Sequence, residues 1–168
     1  MGLDQYLTAK CYYSPMEWRP EALRNTYHKI VEAIQADDFV AKEMPSVEVS
    51  VKVGQWRKSN QVHNWFVNNV QHGEDDCQEY HVGRTELVQL RDLCAKVLAD
   101  HSLAEDLLPA QGGFFFGSTN YDEWYFGDLA ETVTMIDRTL IKVPQDWDFY
   151  YQSSWWLGFG QVLTTIVR

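Results

Sequence analysis

Val47-Glu48-Val49-Ser50-Val51-Lys52-Val53-Gly54-Gln55-Trp56-Arg57-Lys58-Ser59-Asn60-Gln61-Val62-His63-Asn64-Trp65-Phe66-Val67 decides how this chain folds. Four valines alternate with Glu48, Ser50 and Lys52, the period of a strand with one buried face. Gly54 is expected to end that run, giving a strand over 47–54. Helical spacing begins after Ser59, a residue suited to the N-cap. On a wheel of about 100° per residue, Val62, Trp65, Phe66 and Val70 face the core. Asn60, Asn64, Asn68 and Gln71 fall opposite, and His63 and Val67 lie at the border. Asn69 falls within the apolar arc, where its amide needs a partner from backbone, water or ligand.

A strand feeding a helix in this way also suggests chemistry. A helix start presents unpaired N–H groups and the positive end of the macrodipole. Arg57 and Lys58 stand beside it, so a phosphate or carboxylate is the natural guest. Trp56 offers a stacking surface, while Asn60 and His63 offer hydrogen bonds. The same residues also describe a capped surface helix with a border histidine and two solvated cations.

Outward from this stretch, residues 2–13 read as a first strand with Leu3, Leu7, Ala9 and Cys11 inward and Gln5 an imperfect member of that set. Pro20 opens a helix whose stripe is Leu23, Tyr27, Ile30 and Ile34. A polar connection over 72–82 ends in residues suited to a short strand, and Leu87, Leu90, Cys94 and Val97 mark another helix. Asn120 and Glu123 resemble a capping box ahead of a helix with Tyr125, Leu129, Val133, Ile136 and Leu140 inside. Residues 148–156 alternate and form the last strand, and the tail after Gly158 has weak strand character. The expected fold is a single α+β domain over 1–168, with a small mostly antiparallel or mixed sheet packed against about four helices.

The 168 residues carry a net charge of −10, which repels a nucleic-acid backbone and argues against DNA or RNA as a partner. No apolar run spans a bilayer and no leader opens the chain, so no membrane association is expected. Cys11, Cys77 and Cys94 are an odd set at irregular spacing, as expected of free thiols in a reducing cytosol. Seven Trp, nine Tyr and eight Phe suit either a rigid core or a lined pocket. This aromatic excess, together with exposed strand edges, implies a homo-oligomer, a dimer or a larger ring.

No complete catalytic signature is present. His72, Asp75, Asp76, Cys77 and His81 share one loop, but their spacing matches no zinc pattern and a solvated loop accounts for them. Asp75, Asp76, Asp122 and Glu123 are the candidate ligands for Mg²⁺ beside a phosphate; no other cofactor is implied. Asp122, Glu123 and Asp128 cluster where acids favour a helix dipole anyway. Gly117-Ser118 lacks the nucleophile elbow and the phosphate-loop ending, leaving a backbone anion cradle as its possible use. If the helix starts at Ser59 and Asn120 converge, they form a nucleotide-type pocket. Its candidate ligand-binding residues are Trp56, Arg57, Lys58, Asn60, His63, Asn69, Ser118 and Tyr121, with Phe114 and Trp124 as further stacking surfaces.

Met1-Gly2-Leu3-Asp4-Gln5-Tyr6-Leu7, Trp56-Arg57-Lys58 with Asn60, His63 and Trp65-Phe66-Val67, and Asp75-Asp76-Cys77 with Glu79-Tyr80 resemble a family of small tailed-phage and prophage proteins. Leu107-Leu108-Pro109, residues 113–118, residues 121–126 and residues 146–155 extend the resemblance over most of the chain. It implies a phage origin and a place in the host cytosol. The expected function is binding of a nucleotide or other phosphorylated small molecule, sequestering a host defence signal, without turnover. The alternatives are a metal-assisted nucleotide hydrolase or transferase, and a protein-interaction module that blocks a host enzyme.

Overall fold

The computed structural model describes residues 2–113 and 116–155. Phe114, Trp156 and the segment after Gly158, each named in the sequence reading, lie outside the described residues. Within them the fold is α+β, with five α-helices and a four-stranded sheet whose neighbouring strands are all antiparallel. The sheet order is β2-β1-β4-β3, with β1 (Leu3–Tyr13), β2 (Val47–Arg57), β3 (Tyr80–Val82) and β4 (Asp148–Trp155).

β1 shows why the sheet has one covered face. Leu3, Gln5, Leu7, Ala9, Cys11 and Tyr13 are all buried, while the residues between them are half-buried or exposed. Gln5 is thus a full member of the inner set and must find polar partners there.

β2 departs from the sequence reading at Gly54. Lys52 pairs with Thr8 and Gly54 with Leu7, so Val53 is an extra residue in a β-bulge. The bulge exchanges the two faces. Before it Val47, Val49 and Val51 share one side; after it Gly54 and Trp56 are buried and the strand continues to Arg57. Gly54 lets Met135 pack close: a Cβ there would press on Met135 Sδ, the end of a flexible side chain, and lie 3.3 Å from Leu7 Cβ.

α1 (Glu21–Ala33) packs through Tyr27 and Val31 against Cys11 and Tyr13, forming a small cluster at one end of the sheet. Its stripe is turned from the expected one, because Ile34 lies past the helix end and is 56% exposed. α2 (Asn60–Asn69), α3 (Arg84–Ala99) and α5 (Glu123–Lys142) close the larger core around Leu7, Trp56, Phe66, Leu90, Leu129, Phe149 and Tyr151. The short α4 (Ala104–Leu107) follows a 3₁₀ turn. Leu87, Leu90, Cys94 and Val97 are the buried residues of α3, as their spacing predicts.

α5 is capped by Asp122, not Asn120: its carboxylate accepts from Trp124 N at 3.1 Å and Tyr125 N at 3.2 Å. All three cysteines are free, and burial pushes the Cys94 thiol up to about 12. No helix among the described residues is long and apolar enough to cross a membrane.

Candidate functional site

The site begins where β2 turns into α2. Lys58 adopts φ +60°, uncommon for a residue with a side chain and a feature that gathers at ligand sites. Its N–H donates to Leu3 O at 2.8 Å, which anchors the turn to β1. Ser59, at φ −77° and ψ 77°, forms an inverse γ-turn closed by Asn60 N donating to Lys58 O at 2.9 Å. The Ser59 side chain does not cap α2, against the sequence reading, because this turn buries it instead. The first turn of α2 therefore receives no side-chain cap, whereas that of α5 does.

Asn60 was expected on the outer face as a ligand contact, and the structure places it inside. It is 2% exposed; its Nδ2 donates to Phe116 O at 3.1 Å and Ser118 O at 2.8 Å, and its Oδ1 accepts from Gln111 N at 2.9 Å. Asn60 is thus a clamp that holds the connection between α4 and α5 against the start of α2. Gly117, at φ +88°, lets that connection lie close to Lys58: a Cβ there would be 3.3 Å from Lys58 Cβ.

The result is a cleft of about 300 Å³ onto which the starts of both α2 and α5 open. Arg57, Lys58, Asn60, Gln61, Gly117, Ser118, Asp122, Trp124 and Asp128 line it, so four of the expected ligand-binding residues, Arg57, Lys58, Asn60 and Ser118, meet in one concavity. Arg57 is exposed and lies 3.9 Å from Asp4, a loose contact, and Lys58 forms no ion pair among the described residues. Trp124 is 77% exposed and, four residues before Asp128, shares its face of α5.

Two acids temper the cleft. Asp122 is engaged with the N–H groups it caps. Burial raises the Asp128 carboxyl above its ordinary value; the nearby Ser59, and Gln61, whose Nε2 donates to Asp128 Oδ2 at 3.4 Å, oppose this, and Glu131 and Asp122 add to it. A raised carboxyl favours folding while protonated, and that contribution is lost as pH rises through the folded-state value. Asp128→Asn is therefore expected to raise the melting temperature at pH 7. The gain should vanish below about pH 4, where the carboxyl is protonated folded and unfolded alike; melting curves across pH measure both.

The other expected site residues lie elsewhere. Trp56 is core: it is buried, its Nε1 donates to Thr132 Oγ1 at 2.8 Å, and its ring meets Phe66 edge-on. Asn69, placed by the wheel in the apolar arc, is exposed and donates to Trp65 O of its own helix at 2.8 Å. It borders a separate groove with Gln89 and Lys96. Tyr121 braces the α4–α5 connection, its hydroxyl accepting from Ala110 N at 3.3 Å and its ring meeting Tyr125 edge-on.

His63 is fully buried in a polar chain that crosses the core. Gln5 Nε2 donates to Ser59 O at 3.0 Å, which turns Gln5 Oε1 toward Tyr151. The Tyr151 hydroxyl donates to that oxygen at 2.9 Å, so in its 2.8 Å contact with His63 Nδ1 it accepts. His63 Nε2 lies 3.0 Å from Asp75 Oδ2, and Asp75 Oδ1 accepts from Trp155 Nε1 at 3.0 Å.

Asp76 accepts from Gln78 N and Tyr80 OH, both at 3.0 Å, and Glu123 is exposed in the first turn of α5. No group of three or more His, Cys, Asp or Glu among the described residues is placed to hold a metal ion. Gln61 escaped the sequence reading, since helical spacing alone carries no signal for a glutamine turned toward an acid from another helix. The chain matches no protein-family model, no curated protein and no solved structure.

Proposed function

We propose that the cleft between the starts of α2 and α5 binds a small phosphorylated molecule, and that a nucleotide fits its composition best. One observation carries this reading: the uncapped start of α2, the adjacent cations Arg57 and Lys58, and the exposed indole of Trp124 share a single concavity of about 300 Å³. Helix N–H groups and two cations suit a phosphate. An exposed indole suits a base, and Asp128 one turn along can accept from a base amino group. The volume is at the small end for ligand pockets, which favours a mononucleotide over a dinucleotide. The polarity runs from cationic at Arg57 to anionic at Asp128, so a ligand that is phosphate at one end and donor-rich at the other is matched at both. Binding without turnover is the reading, with Asp122 occupied in capping α5 and Asp128 left as an acceptor for the ligand. A chain resembling small tailed-phage proteins would use such a site to sequester a host nucleotide signal.

Thermal-shift measurements with AMP, GMP, their cyclic forms and inorganic phosphate test this. A mononucleotide is expected to raise the melting temperature. Arg57→Ala should weaken its binding about 10- to 100-fold, the range of a lost charge-assisted hydrogen bond, and leave the ligand-free melting temperature unchanged because the side chain is exposed. Trp124→Ala should weaken nucleotide binding by a similar factor, through lost stacking, and leave phosphate binding intact. No stabilisation by any nucleotide, or binding indifferent to Arg57→Ala and Lys58→Ala, would overturn the reading.

A further inference from the structure

Among the described residues β2 is an edge strand, with β1 on one side and no strand on the other. Arg138 Nη2 donates to Val53 O at 3.0 Å and closes the edge there. Among the described residues no backbone hydrogen bond from another element reaches residues 47–52 on the free side, and Val51 is 45% exposed.

The sequence of that open stretch is complementary to itself. About Ser50, Val49 mirrors Val51 and Glu48 mirrors Lys52. Two identical antiparallel strands related by a two-fold axis place residue i opposite j and j opposite i. With the axis at Ser50, a second copy of β2 sets Glu48 against Lys52 twice, Val49 against Val51 twice, and Ser50 against itself. The charges all lie on the open face of the sheet and the valines on the other, as the alternation requires.

We propose that the protein associates with a second copy of itself through β2, joining two four-stranded sheets into one continuous sheet. An edge lysine ordinarily discourages pairing with another chain. Here the two-fold axis supplies Lys52 with a glutamate, and opposite charges directly across a strand pair attract while like charges repel. Glu48 rests 3.7 Å from Lys10, and the Lys52 ammonium lies over the Tyr6 ring at 4.1 Å. Both contacts are within one copy, and Glu48 and Lys52 are themselves exposed, so either side chain can turn to the partner strand. The register is thereby specified: a slip by one residue would bring valine against charge.

Light scattering coupled to size exclusion tests this on the full chain. The wild type is expected to run as a two-chain species. Lys52→Glu and Glu48→Lys, each turning two attractive pairs into two repulsive ones, should weaken association about tenfold or more. The double variant restores opposite charges and should restore the dimer. Ser50→Cys, made in a Cys77→Ser background, should cross-link two copies on mild oxidation, because residues paired across strands lie within disulfide reach. A wild type that stays monomeric, a dimer indifferent to either charge reversal, or a failure of Ser50→Cys to cross-link would each overturn the proposal.

Discussion

Tyr151→Phe is expected to lower the free energy of unfolding by about 2–5 kcal/mol, far more than removal of one hydroxyl ordinarily costs. The hydroxyl joins His63 Nδ1 and Gln5 Oε1, and all three residues are fully buried. Without it a donor and an acceptor lose their partner where water cannot replace it. The ring itself is indifferent to the change, since Phe keeps the stack on Phe66, with centroids 3.8 Å apart and planes at 11°. The loss is therefore polar, not a packing defect. Tyr150, the next residue, points to the open face, and Tyr150→Phe should stay within about 0.5 kcal/mol of wild type. Urea unfolding with unchanged m-values compares the two. A Tyr151→Phe cost below about 1 kcal/mol would mean that the polar chain is not continuous.

Asn60→Ala should cost about 1–3 kcal/mol, as it deletes three hydrogen bonds at about 1 kcal/mol or less each, the partners Gln111 and Ser118 being exposed to water. Its more telling consequence is local. Gln111 N, Phe116 O and Ser118 O are all held by this one side chain, so the connection that forms one wall of the cleft should loosen. Amide hydrogen exchange at Gln111 should rise sharply, while exchange in β1 should follow only the global loss. Asn60→Asp should be worse than Ala, because it keeps the acceptor for Gln111 and turns a carboxylate oxygen toward two carbonyls. If Gln111 exchange is unchanged in Asn60→Ala, something other than the clamp holds the connection.

The parts of the fold that could be read from sequence are those whose burial depends on near neighbours. Alternation in β1 and the stripe of α3 are local patterns facing one core, and both read through. The reading failed where a distant segment supplies the second side. The wheel for α2 turned Asn60 outward because it assumes one buried face; the α4–α5 connection, some fifty residues on, covers the helix start from the other side. The same cause drew His63 inward, to Tyr151 and Asp75. At Val53 the bulge breaks the two-residue period, so the strand runs on through Gly54 and turns Trp56 into the core. Arg57, Lys58 and Ser118 could be placed together because each flanks a helix start, and helix starts are visible in sequence. Trp56 and His63, chosen for their chemistry alone, belong to the core, and Asn60 is a buried clamp in the wall of the cleft.

The cleft beside Arg57 and Trp124 is proposed to take a phosphorylated small molecule. A titration of ¹⁵N-labelled protein with AMP, GMP and inorganic phosphate, followed by amide and indole shifts, tests it most directly. Saturable shifts at Arg57, Lys58, Gln61, Gly117 and Ser118 are predicted for all bound probes, with the Trp124 indole moving for the nucleotides alone. Shifts confined to the open face of the sheet, around Tyr6, Lys10 and Tyr150, or no saturable shift with any probe, would contradict it.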